Sequence, residues 1–163
     1  MTKIKAIIRA RMGSRRLPGK VLKKICGKSL LKWQVDRLKR SEMISEIIIA
    51  TTQKKIDNKI VNFCKKEKIK YFRGSEKDVL DRVSKTIDKF NIDIVVEFTG
   101  DSPLPDIAIV DKYIREFLRK KNKYDFLSNA IQTSYPHGMD VVIYKGKVLN
   151  ELNSNLENND SLR

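Results

Sequence analysis

Histidine and cysteine are scarce in this chain, which has one histidine and two cysteines among 163 residues. The single histidine, His137, excludes a histidine-rich metal site, and Cys26 and Cys64 lack the Cys-x-x-Cys spacing of a zinc or redox motif. Both cysteines lie in segments whose pattern indicates half-burial. We therefore expect reduced thiols in the core rather than a disulfide or a metal site.

Long hydrophobic runs are missing too. No apolar stretch approaches the roughly 20 residues that span a bilayer, and Arg9 and Arg11 interrupt the short apolar run near the N-terminus, which excludes a secretory signal. With 40% hydrophobic and 34% charged residues, the composition is typical of a soluble globular protein. We expect a cytoplasmic protein with one domain over residues 1–163.

Acidic residues are nearly absent from the first 40 positions, which hold 14 lysines and arginines and one acid, a net charge of +13. The other 123 residues hold 21 basic and 19 acidic residues, a net charge of +2. A general basic bias would raise the charge everywhere, so this concentration indicates an anion site built by the N-terminal segment. The alternative that the same charge allows is a nucleic-acid-binding surface.

Apolar segments with strand character alternate with helical segments along most of the chain. We predict strands at residues 3–10, 46–51, 69–72 and 92–98, and helices at 29–40, 55–66, 78–90 and 106–120. Two more strands are expected at 124–128 and 139–144, whereas residues 150–159, with five asparagines, are not expected to form an element. This alternation predicts an α/β fold with a mostly parallel sheet covered on both faces.

In the doubly wound strand order 3-2-1-4, the first and fourth strands are neighbours and their outgoing connections diverge. That order places the loop at residues 9–20, which carries four arginines, beside the loop at residues 100–105. The first loop supplies cations and the second supplies a carboxylate. Together they suit a nucleotide and its metal ion.

The first loop has the residue types that bind a triphosphate. Gly13 and Gly19 permit close backbone approach and unusual φ angles, and Ser14 can donate its hydroxyl. The cationic side chains that can contact phosphate oxygens are Arg11, Arg15 or Arg16, and Lys20. The spacing matches neither a Walker loop nor a Gly-x-Gly-x-x-Gly motif, and a solvated basic loop is the alternative interpretation.

Asp101 follows the fourth predicted strand, within Thr-Gly-Asp-Ser-Pro. A carboxylate there can hold Mg²⁺ against phosphate oxygens, because Mg²⁺ is usually bound by one or two carboxylates plus substrate phosphates. The alternative is an aspartate that only stabilises the turn or caps the following helix.

Five ordered segments resemble one enzyme family. They are residues 8–22 (IRARMGSRRLPGKVL), 46–52 (EIIIATT), 72–82 (FRGSEKDVLDR), 99–104 (TGDSPL), and 128–129 (SN) with 135–141 (YPHGMDV). Together they resemble the cytidylyltransferases that make CMP-activated acidic sugars, which include the acylneuraminate cytidylyltransferases and the spore-coat polysaccharide biosynthesis F-type proteins. These segments cover nearly the whole chain in order.

The resemblance implies a Rossmann-like, three-layer fold of the nucleotide-diphospho-sugar transferase type. It also implies a nucleotidyltransferase that moves CMP from CTP to an acidic sugar and releases pyrophosphate, with Mg²⁺ as cofactor, in surface polysaccharide biosynthesis. A homodimer is implied for a full-length member, with no nucleic-acid or membrane partner.

The resemblance assigns roles position by position. The implied catalytic residues are Arg11, Lys20 and Asp101, with Asp101 as the metal ligand. The implied nucleotide-binding residues are Arg11, Gly13, Ser14, Arg15, Lys20, Arg73, Ser75 and Asp101, of which Arg73 and Ser75 would line the cytidine side. The implied sugar-binding residues are Tyr135, His137 and Asp140.

Family members usually continue past the length of this chain, so we expect the domain at 1–163 to be incomplete at its C-terminal end. A truncated nucleotide-binding remnant without activity is therefore one alternative. Another is a different sugar-nucleotide or molybdopterin nucleotidyltransferase, although those proteins open with small residues where this chain has Arg9 and Arg11. Against a nucleic-acid-binding module, Trp33 and Phe72 are not interleaved with the basic run as stacking platforms would be.

Overall fold

A computed structural model describes residues 2–14, 16–131, 135–136 and 138–157. The strands in these ranges are β1 (Ile4–Arg9), β2 (Lys24–Ile25), β3 (Lys28–Ser29), β4 (Glu46–Thr52), β5 (Lys70–Gly74), β6 (Ile94–Thr99), β7 (Phe126–Ser128) and β8 (Val142–Lys145). The α-helices are α1 (Leu30–Leu38), α2 (Asn58–Lys66), α3 (Val79–Phe90), α4 (Ile107–Arg119) and α5 (Gly146–Glu157). Two short 3-10 turns lie at Lys20–Leu22 and Lys55–Asp57.

Six strands form one sheet in the order β5-β4-β1-β6-β8-β7. The first four are parallel, whereas β8 runs antiparallel to both β6 and β7. This confirms the predicted strand order 3-2-1-4 and the mostly parallel sheet. The alternation of strands and helices did not predict that β8 pairs antiparallel to its neighbours.

Helices cover both faces of the sheet, which confirms the three-layer α/β fold. Alternate β1 residues Ile4, Ala6 and Ile8 pack in one core with α1, α2 and α4. Ile7 packs on the opposite face with Val83 and Ile87 of α3. Strands buried on both faces need continuous apolar runs, and β1 has one at residues 6–8, between Lys5 and Arg9.

Three helices begin at a side chain that caps their N-terminus. The side chains of Ser29, Asp78 and Asp106 accept hydrogen bonds from backbone N–H groups three residues ahead, at the starts of α1, α3 and α4. Asp106 therefore caps α4, and the cap alternative considered for Asp101 is wrong.

Two parts of the fold differ from the sequence expectations. Residues Lys24–Ser29 form a small hairpin of β2 and β3 whose turn residues, Cys26 and Gly27, have φ of 50° and 79°. Cys26 is exposed in this turn, so the expectation that it is half-buried is wrong, whereas Cys64 is buried. Positive φ at both turn positions matches the twist of a tight hairpin.

The described part of the asparagine-rich tail, residues 150–157, belongs to α5, so the expectation that it forms no element is wrong. Asn150 accepts a hydrogen bond from the Ser84 hydroxyl at 2.8 Å and donates one to Asp88 at 2.5 Å, both on α3. Leu149 packs on the α3 core beside these contacts. Polar contacts with α3 thus help to hold the helix, and an apolar periodicity does not detect them. Within the described residues, no helix is long and apolar enough to cross a membrane.

Candidate active site

The carboxyl ends of β1 and β6 meet at the point where the chain leaves them in opposite directions along the sheet. Arg9 and Thr99 are register partners, and the Gly100 N–H donates to the Arg9 carbonyl oxygen at 2.8 Å. A Cβ on Gly100 would lie 3.0 Å from both the Arg9 oxygen and the Ala10 Cβ. Glycine therefore lets the two loops come together, as the strand order predicted.

These loops enclose a cavity of about 430 Å³, which we call the arginine cavity. It is lined by Arg9, Arg11, Ser14, Arg16, Lys20, Val21, Gly100 and Asp101. Of the residues predicted to bind triphosphate and metal, Arg11, Ser14, Lys20 and Asp101 are thus brought together. Arg15 lies outside the described residues, whereas Arg16 lines the cavity.

Lys20 and Asp101 form an ion pair across the arginine cavity. Partial burial acts to raise the pKa of the Asp101 carboxyl, but hydrogen bonds with Lys20 and Thr99 outweigh it and hold that pKa below its ordinary value. Asp101 is therefore ionised at neutral pH. Lys20 belongs to the loop after β1 and Asp101 to the loop after β6, so the ion pair also connects the two sides of the cavity.

The cation-bearing loop is organised around the backbone of Met12. Its carbonyl oxygen accepts hydrogen bonds from the Ser14 and Gly19 N–H groups, both at 2.9 Å. The Met12 N–H donates to the carboxylate of Asp57 at 2.7 Å. Asp57 is only 1% exposed. Asp57 also accepts a hydrogen bond from the Thr52 hydroxyl. Asp57 thus fixes the loop from behind, a role that no local pattern around residue 57 indicates.

The two loop glycines differ in conformation. Gly19 has a φ of 70°, which favours glycine strongly, and a Cβ there would lie 3.0 Å from the Met12 Cε. Gly13 is not among the glycines with positive φ. A Cβ on Gly13 would have Glu76 Oε1 at 3.8 Å as its near neighbour, which places the loop after β5 beside the arginine cavity.

A second cavity of about 580 Å³ lies at this loop after β5, and both Arg73 and Ser75 line it. The Arg73 guanidinium donates to the carbonyl oxygens of Thr52 and Lys54 at 3.0 and 2.9 Å and to Asn58 Oδ1 at 2.8 Å. These contacts hold the ends of β4 and β5 together. Lining the cytidine side stays a prediction for Arg73 and Ser75.

The residues predicted to face the sugar lie in the connection between β7 and β8. Asp140 is exposed, and the Tyr135 ring packs edge-on to Tyr113 with ring centres 6.4 Å apart. The buried Asn129 anchors the segment through hydrogen bonds with the Met139 carbonyl oxygen and the Val141 N–H. Neither Tyr135 nor Asp140 lines the arginine cavity, and His137 lies outside the described residues. Their role stays a prediction.

A third cavity, of about 510 Å³, lies at the opposite end of β6, beside Ile94 and Phe117. None of the predicted site residues that the structure describes lines it. No group of three or more histidine, cysteine or acidic side chains that could hold a metal occurs within the described ranges. In the arginine cavity the described lining includes one carboxylate, that of Asp101, so a metal there would take its other ligands from bound phosphates.

Comparison with known proteins bears on this arrangement. The chain is 37% identical over 134 residues to the spore coat polysaccharide biosynthesis protein SpsF of Bacillus subtilis, a match covering 80% of this chain and 56% of that protein. It is 30% identical over 138 residues to the 3-deoxy-manno-octulosonate cytidylyltransferase of Geobacter metallireducens, covering 77% of this chain and 54% of that enzyme. The chain thus spans about half the length of the curated relatives it matches.

Similarity extends to the three-dimensional structure. The structure of a cytidylyltransferase from Leptospira borgpetersenii superposes with a TM-score of 0.90 at 36% identity, covering 94% of this chain and 65% of that one. The family model described as cytidylyltransferase matches residues 5–155, a span that contains both loops of the arginine cavity. On these grounds, the chain belongs to the cytidylyltransferase family.

Proposed function

We propose that this chain provides the nucleotide site of a CTP-dependent cytidylyltransferase that transfers CMP to an acidic sugar and releases pyrophosphate, for surface polysaccharide biosynthesis. The observation that carries the proposal is the arginine cavity, where Arg11, Ser14 and Lys20 face Asp101 at the carboxyl ends of β1 and β6. Among the described residues, four cationic side chains and one carboxylate line this cavity, a balance suited to a polyanion.

In the proposed reaction, the anomeric hydroxyl of the sugar attacks the α-phosphorus of CTP. A new phosphorus–oxygen bond forms to the sugar, the bond to the β-phosphate bridge breaks, and pyrophosphate leaves with the negative charge. Arg11, Arg16 and Lys20 act by binding phosphate oxygens and neutralising that charge, since transfer of this kind depends mainly on positioning and electrostatic stabilisation. The hydroxyl proton is released as the new bond forms.

Asp101 fits a Mg²⁺ ion that takes its remaining oxygen ligands from the nucleotide phosphates. Bound there, the ion would supply charge neutralisation on the phosphates. Lys20, which pairs with Asp101, would then contact a phosphate oxygen as well. The cytidine base would lie toward the second cavity, beside Arg73 and Ser75.

Nucleotide choice is tested by thermal unfolding of this chain with CTP, UTP, GTP or ATP, each with Mg²⁺. A ligand that binds only the folded state raises the melting temperature with its concentration. We expect CTP to produce the largest rise. A rise with another nucleotide and none with CTP would overturn the cytidylyl assignment.

Acceptor choice is tested by measuring pyrophosphate release from CTP with a panel of acidic sugars and their neutral counterparts. Release that depends on an acidic sugar supports the transferase. Binding of CTP without release for any acceptor would assign the chain to nucleotide binding without transfer. The proposal also places the protein in the cytoplasm, where CTP is available.

A further inference from the structure

Arg9 is the last residue of β1, and its side chain leaves the sheet on the face covered by α3 and α5. Its Nε lies 2.9 Å from Glu97 Oε1, an ion-pair distance, although the N–H is not aimed at that oxygen as a hydrogen bond requires. The Arg9 side chain is 33% exposed and that of Glu97 only 15%. The exposed part of Arg9 lines the arginine cavity.

Glu97 is itself held from the far side. Its Oε2 accepts a hydrogen bond at 2.5 Å from the hydroxyl of Tyr144, a β8 residue that is 5% exposed. Burial, followed by the charge of Glu97 and this hydrogen bond, raises the pKa of Tyr144, so the phenol stays a donor across the physiological range. The carboxylate therefore lies between a buried hydroxyl and a cavity-lining guanidinium.

Arg9 has positively charged neighbours as well as Glu97. Arg82 of α3 is 3% exposed, and its pKa is lowered by burial and then by the charges of Arg9 and Arg11. The positive charges of Arg9 and Arg11, which both line the arginine cavity, thus repel the buried Arg82 guanidinium behind it. A bound oxyanion would relieve this repulsion, because arginine binds phosphate and carboxylate through two parallel hydrogen bonds.

We propose that Arg9 is a further oxyanion-binding residue of the arginine cavity, and that Glu97, held by Tyr144, is its positioning residue. The inference rests on the proposed function in one respect: the oxyanion is a phosphate of the bound nucleotide. Arg9 shares its cavity with Arg11, Ser14 and Lys20, which favours phosphate over a carboxylate of the acceptor sugar. The Tyr144–Glu97–Arg9 chain links the antiparallel part of the sheet to the nucleotide site.

Glu97 could instead do no more than neutralise Arg9, and the two roles predict opposite signs. If Glu97 only neutralises, Glu97→Gln removes a negative charge near the cavity and anions bind more tightly. If Glu97 positions Arg9, the same change loosens the guanidinium and anions bind more weakly. A matched control is Glu46→Gln, which makes the same change in charge at the opposite end of the sheet, where Glu46 pairs with Lys5 and Lys70.

The test is calorimetric titration of this chain with tripolyphosphate, CTP and cytidine, using Arg9→Gln, Arg9→Lys, Glu97→Gln, Tyr144→Phe and Glu46→Gln. A charged hydrogen bond corresponds to a change of about tenfold or more in binding. We expect Arg9→Gln to weaken tripolyphosphate and CTP binding by about tenfold, and Arg9→Lys to restore part of the loss. Glu97→Gln and Tyr144→Phe should weaken both ligands by a few-fold, with cytidine and the Glu46→Gln control unchanged.

The outcomes separate this inference from the proposed function. Wild-type binding of CTP with no loss in either Arg9 variant would overturn the inference and leave the function standing. Loss of tripolyphosphate binding in Arg9→Gln, in a protein that does not recognise CTP, would support the role of Arg9 and overturn the function. An Arg9→Gln variant that binds CTP normally but shows a raised KM for the acidic sugar would overturn the phosphate assignment. Tighter binding by Glu97→Gln would overturn the positioning role of Glu97.

Discussion

The carboxylate of Asp57 accepts a hydrogen bond from the backbone N–H of Met12 at 2.7 Å, across 45 residues of sequence. Asp57 lies in the 3-10 turn before α2, and Met12 lies in the loop that supplies the cations of the arginine cavity. Because Met12 also accepts the N–H groups of Ser14 and Gly19, one buried side chain fixes the backbone of the whole loop.

Replacement of Asp57 separates its geometry from its charge. Asp57→Ala leaves the Met12 N–H and the Thr52 hydroxyl buried without their partner, at a cost of about 1–3 kcal/mol each. Asp57→Asn keeps an acceptor for Met12 and gains a donor that can face the Thr52 oxygen. We expect Asp57→Ala to lower both the unfolding free energy and the CTP affinity, and Asp57→Asn to retain most of each, measured by urea unfolding and titration. Wild-type CTP affinity in a folded Asp57→Ala protein would contradict the role of Asp57.

Loss of the Asp101 carboxylate should affect catalysis far more than folding. Asp101→Ala removes the proposed Mg²⁺ ligand from a side chain that is 38% exposed. We expect Mg²⁺-dependent pyrophosphate release to be abolished while the melting temperature changes little, since exposed ion pairs contribute about 0–1 kcal/mol. The control is Asp125→Ala, which breaks the exposed pair of Asp125 with Lys145 away from the cavity. Unchanged release by Asp101→Ala would exclude the metal role.

Arg11 lines the arginine cavity, and we expect Arg11→Ala to weaken CTP binding by about tenfold or more, the effect of losing a charged hydrogen bond. Its effect on stability should be small, because exposed charges contribute little to folding. Arg115→Ala provides the comparison, since Arg115 is an exposed arginine on α4 whose ion-pair distance to Glu42 is 4.0 Å. Equal CTP affinities for the two variants would remove Arg11 from the site.

Gly19 and Gly27 form a matched pair for testing the loop backbone. Both have positive φ, 70° and 79°, so alanine at either position costs roughly 1–2 kcal/mol of backbone strain. At Gly19 the new Cβ would also lie 3.0 Å from Met12 Cε, whereas at Gly27 no atom lies within 4 Å. We expect both variants to have a lower melting temperature than the wild type, and only Gly19→Ala to bind CTP more weakly. Equal CTP binding by the two would show that the loop tolerates the distortion.

The two cysteines should differ in reactivity toward a thiol-specific reagent. Burial raises the pKa of the Cys64 thiol to about 12, so at pH 8 almost none of it is thiolate, whereas Cys26 is exposed in the hairpin turn. We expect one thiol to react rapidly in the native protein and the second only after unfolding. Cys26→Ser, which removes the exposed thiol, should abolish the rapid phase, and a rapid phase that persists would contradict the assignment.

Local patterns in the sequence were sufficient for the parallel half of the fold. Apolar runs such as residues 6–8 depend on near neighbours, so the strands and helices could be predicted. The strand order of a doubly wound sheet then predicted that Arg11, Lys20 and Asp101 meet. The small hairpin and α5 were missed because a two-residue strand and a helix held by asparagine contacts carry little apolar periodicity.

The side chains that hold the site in place depended on the tertiary structure. Asp57 reaches Met12, and Tyr144 reaches Glu97, through hydrogen bonds between residues 45 and 47 positions apart. Neither acid stands in a motif, and burial, which makes such hydrogen bonds strong and their loss costly, arises only when the layers pack. The sequence therefore indicated that Arg11, Lys20 and Asp101 lie together at the cavity. Packing of the layers decided which buried groups, such as Asp57 and Tyr144, hold the surrounding backbone and side chains in place.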